Sequence, residues 1–324
     1  MVEMKAVVTG AAGFIGSHLV DALLEAKWEV VGIDNFATGK REHLAQALRS
    51  GRFVLSELDL RRRVHLNLFE STDAVFHLAA ESEVPAGLTH PNTQFENNVL
   101  ATYNVLEAIR KSKVKTMYFT SSSTVYGEPS TLPTPESYCP LSPISIYGSS
   151  KLACENLIQG YSKTFGFRSV ILRPANVVGK RATHGVIPDL TAKLQKNASF
   201  LEILGDGKQR KSYVCVDDVT AAVLSIAEHT RNHNAFDVFN IGNHDRISVT
   251  RIAEMLCQEM NVKPALRFSE GVEGGGAWKG DVRQMLLSIE KLTSLGWHPT
   301  LNSHDAVRNA IRAAIDGHKP RRAR

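Results

Sequence analysis

Residues 5–16, "KAVVTGAAGFIG", constrain the fold more than any other stretch of the chain. Ala6, Val7 and Val8 run without polar alternation, so this short strand needs cover on both faces. It ends at Gly10, and Gly13 and Gly16 follow at intervals of three. From Phe14 and Ile15 onward, Leu19, Val20, Leu23 and Leu24 recur three and four apart, the period of a helix. A strand that turns on glycines straight into a helix is the opening unit of a doubly wound sheet. It is also the layout that binds pyrophosphate: the turn brings backbone close, and the helix start offers N–H groups and a positive dipole end.

The same rhythm repeats. "EVVGID" (29–34), "RFVLSELD" (52–59), "AVFHLAA" (74–80), "TMYFTSSS" (116–123) and "RSVILRP" (168–174) read as further buried strands, with long helical patterns over 93–111 and 147–165. This predicts an α/β fold with a parallel sheet covered on both sides, of Rossmann type. After Pro174 the rhythm breaks into loops such as "LGDGKQRKS" and "SEGVEGGGAWKGD". A strand candidate, "FDVFNIG", and helical patterns over 249–260 and 302–315 follow. With 324 residues, 43% of them hydrophobic, the chain suits two lobes. Residues 1–175 are expected to bind a dinucleotide, with segments near 213–245 returning to that domain. Residues 176–316 form a smaller C-terminal α/β lobe for substrate, and 317–324 a disordered basic tail.

Asp34 ends the second strand, eighteen residues past Gly16. A carboxylate there accepts hydrogen bonds from both ribose hydroxyls of adenosine and repels a 2′-phosphate, which favours NAD over NADP. Lys40 and Arg41, close behind, keep NADP as the minor alternative, and a plain turn role is the structural alternative for Asp34. Asp59 ends the third strand, where it reaches the adenine edge or merely caps the 61–63 segment. Leu78, Ala79 and Ala80 let backbone approach the cofactor or pack tightly.

The fifth strand ends in Ser121, Ser122 and Ser123. Tyr147 follows, with Lys151 one helical turn beyond on the same face. A phenol has a pKa near 10. It becomes a base near neutral pH only if a cation such as Lys151 and an oxidised nicotinamide stabilise its anion. Alone, a Tyr-x-x-x-Lys spacing is an ordinary surface pair; beside the glycine turn, Asp34 and the serines it is a catalytic set.

At this point the chain resembles a family. "TGAAGFIG", "DNFATGKRE", "HLAA", "ENNVLATYNVLEA", "SSSTVYG", "YGSSK", "RPANVVGKR", "LGDGKQRKSYVCVDD" and "FNIG" occur in order over about residues 4–315. Together they are similar to the extended short-chain dehydrogenase/reductases acting on nucleotide sugars, and most to the UDP-glucose (UDP-galactose) 4-epimerase group. The resemblance implies NAD, held partly by Asn35, Thr38, Gly39, Leu60, Asn97 and Ser121, and a nucleoside-diphosphate sugar between the lobes. Tyr147 would take the O4 proton while hydride leaves C4, giving a transient 4-keto sugar whose other face takes the hydride back. Ser122 occupies the catalytic serine position, with Ser123 as runner-up. Asn176, Gly185, Val186, Lys211 and Asp281 would meet the nucleotide sugar.

The departures from the family pattern are specific. Lys211 stands where an arginine often grips the diphosphate, and "WKGD" (278–281) lacks another usual arginine, so Arg210, Lys211, Lys279 and Arg283 all stay candidates. Glu81 adds a carboxylate where an acidic sugar would lie. UDP-glucuronate and UDP-N-acetylglucosamine 4-epimerases remain alternatives, and Met285, aligned with the gate for the 2-substituent, does not decide between them. A dehydratase or decarboxylase is disfavoured because Ser123 and Thr124 replace the acid/base residues it would need. An NAD-sensing protein without activity would be expected to lose the Tyr/Lys pair.

Net charge is only +5, so the basic tail is weak ground for nucleic-acid binding. Cys139, Cys154, Cys215 and Cys257 form no metal-binding spacing and suit free thiols in the cytoplasm. No signal peptide or membrane span is expected. Apolar residues on more than one face of the 93–111 and 147–165 helices predict a homodimer, the alternative being cover by a loop.

Overall fold

The computed structural model describes residues 4–62, 64–230, 236–272 and 275–317; the tail 318–324 and Arg63 lie outside them. Seven parallel strands form the main sheet. They are β1 (Lys5–Thr9), β2 (Glu29–Asp34), β3 (Phe53–Glu57), β4 (Ala74–His77), β5 (Thr116–Thr120), β6 (Arg168–Pro174) and the returning strand Phe236–Ile241. Their spatial order is β3-β2-β1-β4-β5-β6-(236–241). The order reverses between β1 and β4, and doubly wound sheets bind ligands at the strand ends of that reversal.

The pleat explains the unbroken apolar runs. Ala6, Val8, Phe76, Tyr118, Val170 and Leu172 pack on one face with Leu19, Leu23, Val219 and Ile226, from the helices Phe14–Glu25 and Val216–His229. Their alternating neighbours Val7, Val75, Met117, Phe119 and Ile171 pack on the other with Val105, Leu106, Cys154 and Ile158. Each Val, Leu, Ile, Phe and Met among them contributes about 1.5–3 kcal/mol on full burial.

A third core, with Ile187, Leu190, Leu201, Ile203, Ile252, Leu256, Val307 and Ile311, builds the smaller lobe. The helices Val186–Lys196, Val249–Met260 and Ser303–Gly317 surround short strand pairs there. Asn176–Val178 pairs with Tyr213–Cys215, and Arg210–Lys211 lies between Ile247–Ser248 and Gln284–Met285.

Four elements differ from the sequence-based expectation. The third strand stops at Glu57, the fourth at His77 and the fifth at Thr120. Asp59, "LAA" and "SSS" therefore stand in the loops at the sheet edge. The single helix expected over 93–111 begins at Pro91 and contains a π-helical stretch, Phe95–Leu100, before regular helix resumes at Ala101–Arg110. Such insertions are common at functional sites.

Candidate active site

At the glycine turn the backbone itself requires glycine. Gly10 has φ +68°, and a Cβ there would lie 2.8 Å from the backbone nitrogen of Ala79. A Cβ on Gly16 would lie 2.0 Å from the Gly10 carbonyl oxygen. The helix then starts at Phe14 with Gly13 as N-cap, no side-chain cap and no acid in its first turn. The N–H groups of Phe14, Ile15 and Gly16 have no acceptor within the helix. This cradle is shaped and polarised for a pyrophosphate.

Asp34 lies beside it, with Oδ2 accepting from the Ala12 N–H and Oδ1 from the Phe36 N–H, both at 2.8 Å. The turn role is thus real, but each carboxylate oxygen keeps a second acceptor site for a ribose hydroxyl. The loop carrying Asn35, Thr38 and Gly39 lies against the turn: a Cβ on Gly39 would meet Ala12 and Asp34 at 2.9 Å. Asn35 accepts from the Ala37 N–H, and Thr38 is exposed. Arg41 reaches toward Glu57 at 3.7 Å. The residues present therefore fit an NAD dinucleotide.

Asp59 is bound by the Arg61 backbone and guanidinium at 2.7–3.0 Å, the capping alternative. Buried Leu60 accepts at its carbonyl from Asn104. The N–H groups of Leu78 and Ala79 each donate to Thr9 Oγ1 at 3.2 Å, which ties the fourth-strand end, with Ala80, to the glycine turn. Thr9 also meets His77 Nδ1, and His77 Nε2 meets Thr102. Burial, then the Lys151 charge, pushes His77 down to about 3, so it is a neutral bridge and not a general acid.

Asn97 donates only to Thr93 within its helix. The neighbouring Asn98 is fully buried and is wired into the site: Oδ1 accepts from the Glu81 N–H, while Nδ2 donates to Gln94 and Ser150. The π turn rotates Asn98 inward to make these bonds.

Tyr147 and Lys151 sit near the start of the helix Ile146–Phe165, where Ser145 caps the Gly148 N–H at 3.1 Å. Lys151 is 2% exposed. Its Nζ donates to the Thr120 carbonyl at 2.9 Å and lies 4.8 Å from the Phe119 ring centre and 5.9 Å from that of Tyr147. Burial drives the Tyr147 phenol up to about 12, against a hydrogen bond with Ser122 that lowers it; Glu81 adds a smaller upward push. Burial brings Lys151 down to about 8. Ser122 Oγ accepts from the Thr124 N–H and Oγ1 at 3.2 and 2.9 Å, which fills its acceptor sites and leaves its own proton to donate. Ser123 is half-buried and stands at the start of the next turn.

Ser121 is buried and donates to Glu155. Glu155 pairs with Arg173 at 2.6 Å, both about 5% exposed. Arg173 donates to the Tyr126 hydroxyl, which donates to Asn240 on the returning strand. Sequence reading missed this buried network, together with Thr9, His77 and Asn98. Glu155 had a signal, lying four residues past Lys151; Arg173, Tyr126 and Asn240 had none.

On the substrate side, Asn176 Nδ2 donates to the Ser212 carbonyl at 3.3 Å. Gly185 (φ +102°) caps the helix that starts at Val186, with open space around it. His184 meets Ser82 across the cleft at 3.1 Å. Lys211 is paired at 2.6 Å with the nearly buried Asp281, which also accepts from Gln209 and the Ala277 N–H. Arg210 lines a different depression, with Lys208, Arg246 and Arg251. Arg283 pairs with Asp206 at 2.7 Å, and Lys279 is exposed. All four cysteines are free, and no His/Cys/Asp/Glu cluster suits a metal among the described residues.

The NAD dependent epimerase/dehydratase family matches residues 6–242. A putative UDP-glucose 4-epimerase of Methanocaldococcus jannaschii is 33% identical over 309 residues, covering 94% of this chain and 96% of that one. Among solved structures, a UDP-galactose 4-epimerase is 40% identical with a TM-score of 0.87, over 98% of this chain and 100% of its own. A UDP-glucuronic acid 4-epimerase from Bacillus cereus, solved with UDP-glucuronic acid and NAD, is 31% identical with a TM-score of 0.88, over 97% and 100%. With these matches and the glycine cradle, the chain belongs to the NAD-dependent epimerase/dehydratase family, as an enzyme of the epimerase type.

Proposed function

We propose that the chain inverts C4 of a nucleoside-diphosphate sugar, UDP-galactose and UDP-glucose first, through a transient 4-keto sugar. The observation that carries this is the buried Tyr147–Lys151 pair, with Lys151 Nζ fixed on the Thr120 carbonyl 5.9 Å from the phenol ring centre and Ser122 following directly from that strand end. Bound NAD supplies the hydride acceptor at C4, the hydride returned to either face, and a positive ring near the phenol. The chain's own residues do the rest. Ser122 donates to O4 and Tyr147 removes the O4 proton. Lys151, whose ammonium is anchored by the Thr120 carbonyl, favours the phenolate and the cofactor ribose. Ser123 and Thr124 bring no carboxyl group for elimination or decarboxylation.

A neutral hexose fits better than a uronic acid, because Glu81, tied through Asn98 to Ser150 on the catalytic helix, places a carboxylate near the site that would repel a sugar carboxylate. The higher identity to the UDP-galactose 4-epimerase supports the same choice; UDP-glucuronate and UDP-N-acetylglucosamine 4-epimerisation are the second reading. We assign residues 1–175, with the return near 213–245, to NAD, and 176–316 to the sugar nucleotide. Free cysteines, the exposed Cys139 included, support the cytoplasm; no described helix is long and apolar enough to cross a membrane.

The test is a panel of UDP-, GDP- and dTDP-sugars, assayed for C4 inversion without added cofactor. Tyr147→Phe should keep fold and bound NAD but lose about 10²–10⁴-fold in rate, the usual worth of a general base. Near wild-type turnover of UDP-galactose by that variant would remove Tyr147 from the mechanism, and net NADH release would mark a dehydrogenase instead.

A further inference from the structure

We propose that Arg283 and Trp278, and not Lys211, grip the diphosphate of the substrate; this rests on the nucleotide-sugar reading above. The two residues line a depression of about 410 Å³ with Glu128, Ile144, Lys279 and Asp281. It lies beside the helix that carries Tyr147: a Cβ on Gly280, which also lines it, would come within 2.8 Å of the Ile144 carbonyl.

The carboxylates around this depression are engaged. Glu128 accepts from the Arg283 backbone N–H at 2.6 Å. Asp281 holds Lys211, Gln209 and the Ala277 N–H. Asp206 holds Arg283 Nη2 at 2.7 Å. The Lys211 ammonium is fixed on Asp281, 6.0 Å from the Trp278 ring centre, so its charge goes into the 278–281 turn.

Two donors are left over. Arg283 Nε and Trp278 Nε1 are both buried without a partner among the described residues, and exposed Lys279 makes no ion pair among them. Buried donors without acceptors are unfavourable until a ligand supplies one. The residues that line it carry two orphan N–H groups and an ammonium, a set that calls for a ligand rich in acceptor oxygens, and phosphate is the strongest such acceptor for a guanidinium. Neither a hexose hydroxyl nor a uracil edge matches that set as well. Indole takes the place of a second cation, which spares the site an additional like charge beside Lys211.

The test uses the NAD-loaded enzyme and two probes, UDP and uridine. Binding is measured by calorimetry and by tryptophan fluorescence; Trp28 and Trp297 are buried in the sheet core, so a quench reports Trp278. Trp278→Phe keeps an aromatic ring and loses the N–H. Arg283→Lys keeps the charge that faces Asp206 and loses Nε–H. Each variant should bind UDP about tenfold more weakly, the worth of one charge-assisted hydrogen bond, and bind uridine as the wild type does. Lys211→Gln, at an unchanged melting temperature, should lose less than threefold. UDP affinity within twofold of wild type in both Trp278→Phe and Arg283→Lys overturns the proposal, as does equal loss for uridine. A wild-type enzyme that takes up no UDP overturns the nucleotide-sugar reading itself.

Discussion

Tyr147 and Lys151 behave differently from the expectation drawn from their spacing. Without the dinucleotide the lysine does not make the phenol acidic: burial prevails, holding Tyr147 near 12 and Lys151 near 8. The helix supplies proximity, but the charge that tips the balance must come with the cofactor. This has a consequence for stability. A lysine lowered from 10.5 to about 8 contributes stability above its unfolded pKa, and loses it as pH falls toward 8. Lys151→Met, stripped of cofactor, should therefore melt higher than wild type at pH 7, with the gap closing as pH approaches 10.5. A pH series of melting curves checks this, and a gap that does not change with pH counts against the buried ammonium. The glycine turn gives the sharpest steric prediction. Gly16→Ala places a methyl 2.0 Å from the Gly10 carbonyl, so the turn must open. We expect loss of co-purifying NAD, read from the 260/280 nm absorbance ratio, and a lowered melting temperature.

At the scale of elements, what was legible in the sequence had local causes. The glycine turn, Asp34 and the Tyr147–Lys151 pair all depend on residues within one strand–turn–helix unit, and the apolar runs declare a sheet buried on both faces. Strand ends were overextended because "LAA" and "SSS" continue small or apolar past the last ladder bond. The π turn at Phe95–Leu100 was invisible because its cause is tertiary: Asn98 must reach Glu81 and Ser150. The same holds for the network that binds the catalytic helix to its strands, since Glu155 and Arg173 are eighteen residues apart and face each other only in the folded sheet. Removing one member of a buried pair leaves the other charge uncompensated, at about 3–5 kcal/mol. Arg173→Met alone should cost that much in denaturant melts. Arg173→Met with Glu155→Gln should recover a good part of it, and strict additivity of the two single costs would refute the coupling.

The whole molecule has a surface that neither lobe uses. Leu88, Phe95 and Tyr103 lie exposed along the segment before and through Ala101–Arg110, and Ile146 and Phe165 at the ends of the adjacent catalytic helix. Phe95 is 58% and Phe165 48% exposed. These two helices pack on each other and on the sheet through Val105, Ile109 and Ile158, so the outer apolar face is additional to what the fold requires. No described loop of the same chain covers those side chains. Apolar residues grouped on one helix-pair face mark an interface, and a second copy presenting the same pair gives a closed, two-fold four-helix contact. A stable contact of this kind buries about 1,200–2,000 Å², and two helices of this length on each side can provide it. We therefore expect a homodimer by light scattering. Phe95→Asp should shift it to monomer at micromolar concentration, because the carboxylate would have to be desolvated at the seam. Tyr147 and Lys151 lie on the inner face of the same helix pair, so the monomer should keep its bound NAD. A dimer that persists unchanged in Phe95→Asp would place the contact elsewhere on the molecule.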